Sequence, residues 1–208
     1  DYIIKGKLKP GTDLPTEVEM AEQIGVSKFS MREALRVAQT QGLISISRGR
    51  RTQVAAPSPH FAAEAMSILL RNSGNSDYFL LFLTEARKGL ECQIAGLAAS
   101  RAKRSHIKEM TQVIAEMAEN SDNIELCTEK DIEFHRILSQ ASGNPIFEVM
   151  LSPVSSLLRK SRFEAMLEVS PQRAILGHKK ILKAVMEKNP DKAAKNMLEH
   201  LQMAEEDL

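Results

Sequence analysis

The chain has 208 residues, with 28 Lys and Arg against 27 Asp and Glu, 43% hydrophobic content, 4% aromatics and no Trp. That length carries one large domain or two small ones, each able to bury a core. No apolar run approaches the ~20 residues that a membrane-spanning helix needs, so none is expected. Leu, Ile, Ala and Met dominate the apolar set, which favours helix packing over a β-sandwich. The opening DYIIKGKLKPG lacks the apolar core of a signal peptide and reads as a segment that begins inside an element. Cys92 and Cys127 have neither metal nor redox spacing and fit a reducing, cytoplasmic setting.

Residues 1–56 form a punctuated unit. Pro10-Gly11 makes a turn, and Thr16 with Glu19 fits a capping box that starts a helix at Glu17. Val18, Ala21 and Ile24 give that helix an apolar edge, and Gly25 ends it. Ser27 is a second N-cap two residues later. Met31, Ala34, Leu35 and Ala38 form the apolar side of the next helix, which Gly42 stops. LISIS at 43–47 and TQVAA at 52–56 alternate as two strands around the turn SRGRR. A tight pair of helices followed by a basic-tipped hairpin is a winged helix-turn-helix.

Charge is unevenly placed. Residues 1–60 hold nine Lys and Arg against six Asp and Glu, and between Ser27 and Arg51 six cations meet a single acid. Lys28, Arg32 and Arg36 recur every four residues, so they share one side of the helix. An α-helix fits the DNA major groove, where Arg can grip guanine through two acceptors. Lys28 and Arg32 lie in its first turns, and Ser30 can reach a phosphate or a base edge. Arg48, Gly49, Arg50 and Arg51 tip the wing, where Gly permits close approach and arginines enter a minor groove.

The run from Ile3 to Val54 resembles the winged helix of GntR-type bacterial transcription regulators: Pro-Gly, Leu-Pro, Gly-Val-Ser, Arg-Glu-Ala-Leu and Gly-Leu-Ile recur in order. The resemblance implies operator binding through Ser27, Lys28, Ser30, Arg32, Arg48 and Gly49. Two positions depart from the family pattern. Val18 stands where relatives carry a DNA-contacting Arg, and Lys28 replaces the commoner Arg, which removes a bidentate fork.

Pro57-Ser58-Pro59 reads as a stiff linker and domain boundary. Residues 60–208 read as an all-helical antiparallel bundle. Helices are expected near 60–72, 77–102, 105–119, 123–142, 145–167 with a break near Pro153, 171–188 and 191–207. The chain is thus mainly α, a winged helix-turn-helix followed by a helical bundle.

Polar residues interrupt the apolar stripes of that bundle. Arg87 falls within Leu80, Leu83, Leu90, Ile94 and Leu97. Asp131 falls within Ile124, Cys127, Phe134 and Leu138, and His135 lies one turn on. His178 interrupts Ile175, Leu182 and Val185; His200 interrupts Ala193, Met197 and Ala204. A buried charge or imidazole is costly unless paired or metal-bound. His178 and His200 each lie roughly eleven residues from the turn at 189–190, about 16 Å at 1.5 Å per residue, so an antiparallel helix pair sets them side by side. Asp131, His135, His178 and His200 make a ligand set suited to Zn²⁺, with Ni²⁺, Mn²⁺ or Fe²⁺ as further options. His60 and His106 read as ordinary histidines. Arg87 has Glu91 as its i+4 partner: the pair is either a structural ion pair or part of a clamp in which Arg87 takes a carboxylate bidentately.

The segments LTEARKGLECQIAGLAASRA, DIEFHRILSQASGNP and GHKKILKAVMEKNPDKAAKNMLEHL resemble the effector domain of the FadR-like branch, the FCD domain. That resemblance implies an all-helical bundle, an Asp/His₃ metal site on the same four residues, Arg87 and Asn144 lining the pocket, small organic or sugar acids as effectors, and a homodimer. The expected function is a ligand-responsive regulator, most often a repressor, that binds operator DNA. A metal-dependent hydrolase or lyase using the same ligands is the alternative, and a bundle serving only as a dimerisation scaffold is a third reading.

Overall fold

The computed structural model describes residues 7–47, 51–56, 68 and 76–206. The chain divides into two compact units, Asp1–Phe61 and Ala62–Leu208. The described residues carry nine helices and one two-stranded sheet.

In the first unit, α1 (Glu17–Ile24) begins at the expected capping box. Thr16 Oγ1 accepts from Glu19 N, and the Glu19 carboxylate accepts from Thr16 N. Gly25 closes α1 at φ 75°, a left-handed position that needs no Cβ. After two further residues Ser27 caps α2 (Lys28–Thr40). β1 (Ile44–Ser45) and β2 (Gln53–Val54) pair antiparallel, Ile44 opposite Val54. Both strands are shorter than their alternation suggests. Only Ile44 and Val54 have an apolar face to bury, while Ile46 is exposed. The chain before α1 completes the small sheet: Leu14 N donates to Thr52 O at 2.8 Å and Val54 N to Thr12 O at 2.9 Å.

The core of this unit is Leu14, Ile44 and Val54, backed by Met20, Leu35, Ala38 and Leu43. Two expected apolar edges shift accordingly. Val18 and Ile24 are exposed, and α1 instead packs through Met20 and Ala21. On α2, Met31, Leu35 and Ala38 face inward and Ala34 is exposed.

The second unit runs α3 (Ser76–Arg101), α4 (Arg104–Glu119), α5 (Ile124–Ala141), α6 (Pro145–Leu157), α7 (Arg159–Val169), α8 (Gln172–Met186) and α9 (Pro190–Glu206). Helix α9 lies along α3 and α8; α5 packs on α3, α4, α6 and α7. The core between them includes Ile94, Ala95, Met110, Met117, Phe134, Leu138, Ile181 and Met197. The expected break near Pro153 falls five residues later. Pro153 stays inside α6, and the chain turns at Leu158, which ends one helix and begins the next while burying its side chain with Leu83 and Val154. The helix expected at 60–72 and the linker at 57–59 lie outside the described residues, apart from Ile68, which is helical. Among the described residues no helix is long and apolar enough to cross a membrane.

Candidate functional site

The first unit presents the N-terminal turns of α2. Ser27 Oγ accepts from Ser30 N at 3.0 Å and lies 2.9 Å from Ser30 Oγ, so both hydroxyls are engaged in the cap. Lys28 is exposed beside them. Arg32 is 59% exposed but not free, since its guanidinium donates to the Glu17 carboxylate from Nη2 at 2.9 Å and from Nε at 3.2 Å. Those bonds hold the Glu17 carboxyl below its usual range. Arg36 pairs with Glu33 at 2.9 Å. The sequence reading passed over Phe29, which stands 73% exposed between Lys28 and Ser30. The wing-tip residues Arg48, Gly49 and Arg50 lie outside the described residues; Arg51 is exposed.

The second unit brings four expected ligands together. Asp131 and His135 come from α5, His178 from α8 and His200 from α9, and one ligand atom from each lies within 4.8 Å of the others. All four are buried. Asp131 Oδ1 is 3.2 Å from His178 Nε2 and 3.9 Å from His135 Nε2. The three imidazole centroids are 4.8 to 5.4 Å apart. Phe134 stacks on His178 at 4.0 Å and fixes that ring's plane.

The protonation states suit metal ligation. Burial pushes the His178 and His200 imidazoliums toward losing their proton, His200 the further. Burial raises the Asp131 carboxyl, but the Arg162 charge and the His178 contact outweigh it and hold it well below its usual range. Neutral imidazoles with a carboxylate are the forms a cation needs. His135 Nε2 and His178 Nε2 are buried without a hydrogen bond of acceptable geometry, as expected of nitrogens turned with Asp131 Oδ1 toward a common centre; His178 Nδ1 and His135 Nδ1, the latter in contact with Glu91, also lack one. The donors therefore fit a divalent transition metal, with nitrogen donors favouring Zn²⁺ over Mg²⁺ or Ca²⁺.

Around the ligands stands a second layer. Glu91, buried on α3, accepts from Arg87 Nε at 2.5 Å with one oxygen and contacts His135 Nδ1 with the other. A carboxylate on Nδ1 leaves Nε2 for a metal. Burial opposes the Glu91 charge, but Arg87 and His135 overcome it and keep the carboxyl ionised. Arg162 on α7 is buried with Nη1 3.4 Å from Asp131 Oδ2. A cavity of about 70 Å³ opens beside this group, lined by Thr84, Arg87, Asp131, Arg162, Met166 and His200 among others.

Arg87 thus joins the ligands, but Asn144 does not. Its Oδ1 accepts from Ile146 N at 3.1 Å to cap α6, and it is absent from the cavity lining. Sequence reading missed Glu91 as a support for His135, although Leu83, Arg87, Glu91, Ile94 and Ala98 form one buried stripe at steps of four and three. Arg162 gave no such signal. Phe163, Met166, Leu167 and Val169 are scattered around α7, leaving no stripe to interrupt.

Residues 1–54 match the family described as "Bacterial regulatory proteins, gntR family", and residues 83–203 match the FCD domain, more than half of the chain. The chain belongs to the GntR family, in its FCD branch. This GntR regulator is 30% identical to the HTH-type transcriptional regulator LutR of Bacillus subtilis, over 98% of this chain and 94% of LutR. It is 29% identical to the regulator YcbG of the same organism, over 94% of this chain and 80% of YcbG. It is 28% identical to the transcriptional repressor NanR of Salmonella schwarzengrund, over 92% and 74%. Among solved structures, the Streptococcus agalactiae GntR protein matches the fold with a TM-score of 0.75 at 24% identity, covering 97% of this chain and 92% of that one. The molecule is a transcription regulator rather than an enzyme, with an operator-binding winged helix and an effector-binding FCD domain.

Proposed function

We propose that this GntR regulator is a repressor whose FCD domain holds a divalent metal, with Zn²⁺ the best match, and responds to a small carboxylic acid. The observation that carries the reading is the convergence of Asp131, His135, His178 and His200 from three helices beside a cavity lined by Arg87. The kinship with NanR, named a repressor, supports the direction of control. When bound, the metal supplies a Lewis-acidic anchor for a carboxylate oxygen. The chain's own residues do the rest. Glu91 orients His135, Phe134 orients His178, and the arginines supply cationic donors in a buried space.

In this reading the protein is a homodimer that sets two winged helices on a pseudo-palindromic operator, as two-fold symmetry requires. Ser27, Lys28, Ser30 and Arg32, with Arg48, Gly49 and Arg50 of the wing, contact the DNA. The acid controls binding only if its affinity differs between DNA-competent and incompetent arrangements. A thermal-shift screen of small carboxylic acids, with and without chelator, tests the pocket. A rise in melting temperature that needs metal supports the reading, and acids that stabilise equally in chelator overturn it.

A further inference from the structure

Three arginines line the cavity, and they are not equivalent: Arg173 is 41% exposed and lies 3.5 Å from the Glu206 carboxylate, whereas Arg87 and Arg162 are buried. Arg87 Nε is committed to Glu91 Oε1. Arg162 is buried, lines the same cavity, and has no hydrogen-bond partner at Nε, Nη1 or Nη2. Its closest counter-charge, Asp131 Oδ2, lies 3.4 Å from Nη1 without hydrogen-bond geometry, and the other Asp131 oxygen faces His178 and His135. A guanidinium out of water whose three nitrogens all lack a hydrogen-bond partner is unfavourable, since each unsatisfied buried polar group costs about 1–3 kcal/mol, more when charged.

We propose that Arg162 is the primary anchor for the effector's carboxylate, which completes the fork left vacant on α7. This rests on the reading of the pocket as an acid site. A carboxylate presents two oxygens at the spacing of two parallel guanidinium N–H bonds, so one ligand group meets the unmet need of Arg162. Charge balance adds a condition. Arg87 and Arg162 are already matched by Glu91 and Asp131, so an incoming anion would leave the buried group one negative charge in excess. A divalent cation among Asp131, His135, His178 and His200 reverses that balance. Acid and metal therefore bind cooperatively, each raising the other's affinity by the same factor. A cavity of about 70 Å³, on a measure by which one water takes about 10–15 Å³, admits an acid of a few carbons.

The test uses the full chain loaded with Zn²⁺ and titrated with L-lactate, pyruvate, succinate and L-malate, read by calorimetry and thermal shift. At least one acid is expected to bind wild type. Its affinity should fall at least tenfold in Arg162→Gln and less in Arg162→Lys, which keeps the charge and loses the fork. Zinc should still stabilise both variants, which shows that they are folded. Equal acid affinity in wild type and Arg162→Gln overturns the assignment. If Arg162→Gln fails to fold, wild-type affinity in Arg162→Lys overturns it instead. Acid binding that is unchanged by chelator overturns the coupling to metal. If no acid of the four binds zinc-loaded wild type, the carboxylate class is overturned. If zinc itself neither binds nor stabilises wild type, it is the underlying metal reading that fails.

Discussion

Gly177 on α8 leaves the space that the His200 ring of α9 fills. A Cβ built at Gly177 would overlap His200 Nδ1 and come within 3.0 Å of its Cγ. Gly177 is buried in a helix interior, where Gly is unfavourable by about 1 kcal/mol against Ala. The residue makes sense as a slot for a ligand histidine. Gly177→Ala is expected to displace the ring and to weaken metal binding by about 10–100-fold, the range for changes in the supporting shell of a metal site. Competition against a chromophoric chelator measures it; unchanged zinc affinity would show that the ring is not a ligand.

Glu91 stands between the Arg87 guanidinium and His135 Nδ1. Glu91→Ala removes the carboxylate that pairs with the buried Arg87 and should destabilise the second unit by about 3–5 kcal/mol, the usual result of breaking a buried pair. Urea unfolding of the apoprotein measures this without involving the metal. A loss below about 1 kcal/mol would mean that water reaches Arg87 easily.

On the DNA side, Lys28 and Arg32 should fail differently. Lys28→Ala is expected to weaken binding to all sequences and flatten the salt dependence by about one counterion. Arg32→Ala is expected to cost about 1–3 kcal/mol and relax the preference at one base position. Binding to a promoter fragment and its single-base variants across a salt series separates the two. Equal losses on every variant for Arg32→Ala would reassign it to a phosphate.

Phe29 makes a third DNA prediction. An apolar ring exposed on the reading helix suits a thymine methyl group. Phe29→Ser should reduce discrimination of thymine from uracil at one operator position, measured by substituting deoxyuridine through the site. No difference between thymine and uracil in wild type would exclude the contact.

Much of this was legible in the chain because local chemistry repeats at helical periods. The Thr16–Glu19 box and the Ser27 cap mark helix starts that need only nearby residues. Asp131, His135, His178 and His200 stood out because each breaks an apolar stripe. What failed depended on contacts distant in sequence. Val18, Ile24 and Ala34 look like core residues, but the helices meet the small sheet through Met20, Leu35 and Ala38, while Ala21 and Met31 are buried and Val18, Ile24 and Ala34 are exposed. Asn144, a pocket residue by family resemblance, is a different and local case: its Oδ1 accepts from Ile146 N to cap α6, and it does not line the cavity. Arg162 sits on a helix without an apolar stripe, so only the packing of α7 on α5 reveals it.

The central claim is that Asp131, His135, His178 and His200 hold a metal. Elemental analysis of the untagged protein, together with its melting temperature before and after chelation, tests this directly. The account predicts about one equivalent of a transition metal per chain, a melting temperature lowered by chelator and restored by Zn²⁺, and no metal in His178→Ala. Wild-type protein that carries no metal and melts at the same temperature with chelator, with zinc or with neither would contradict it.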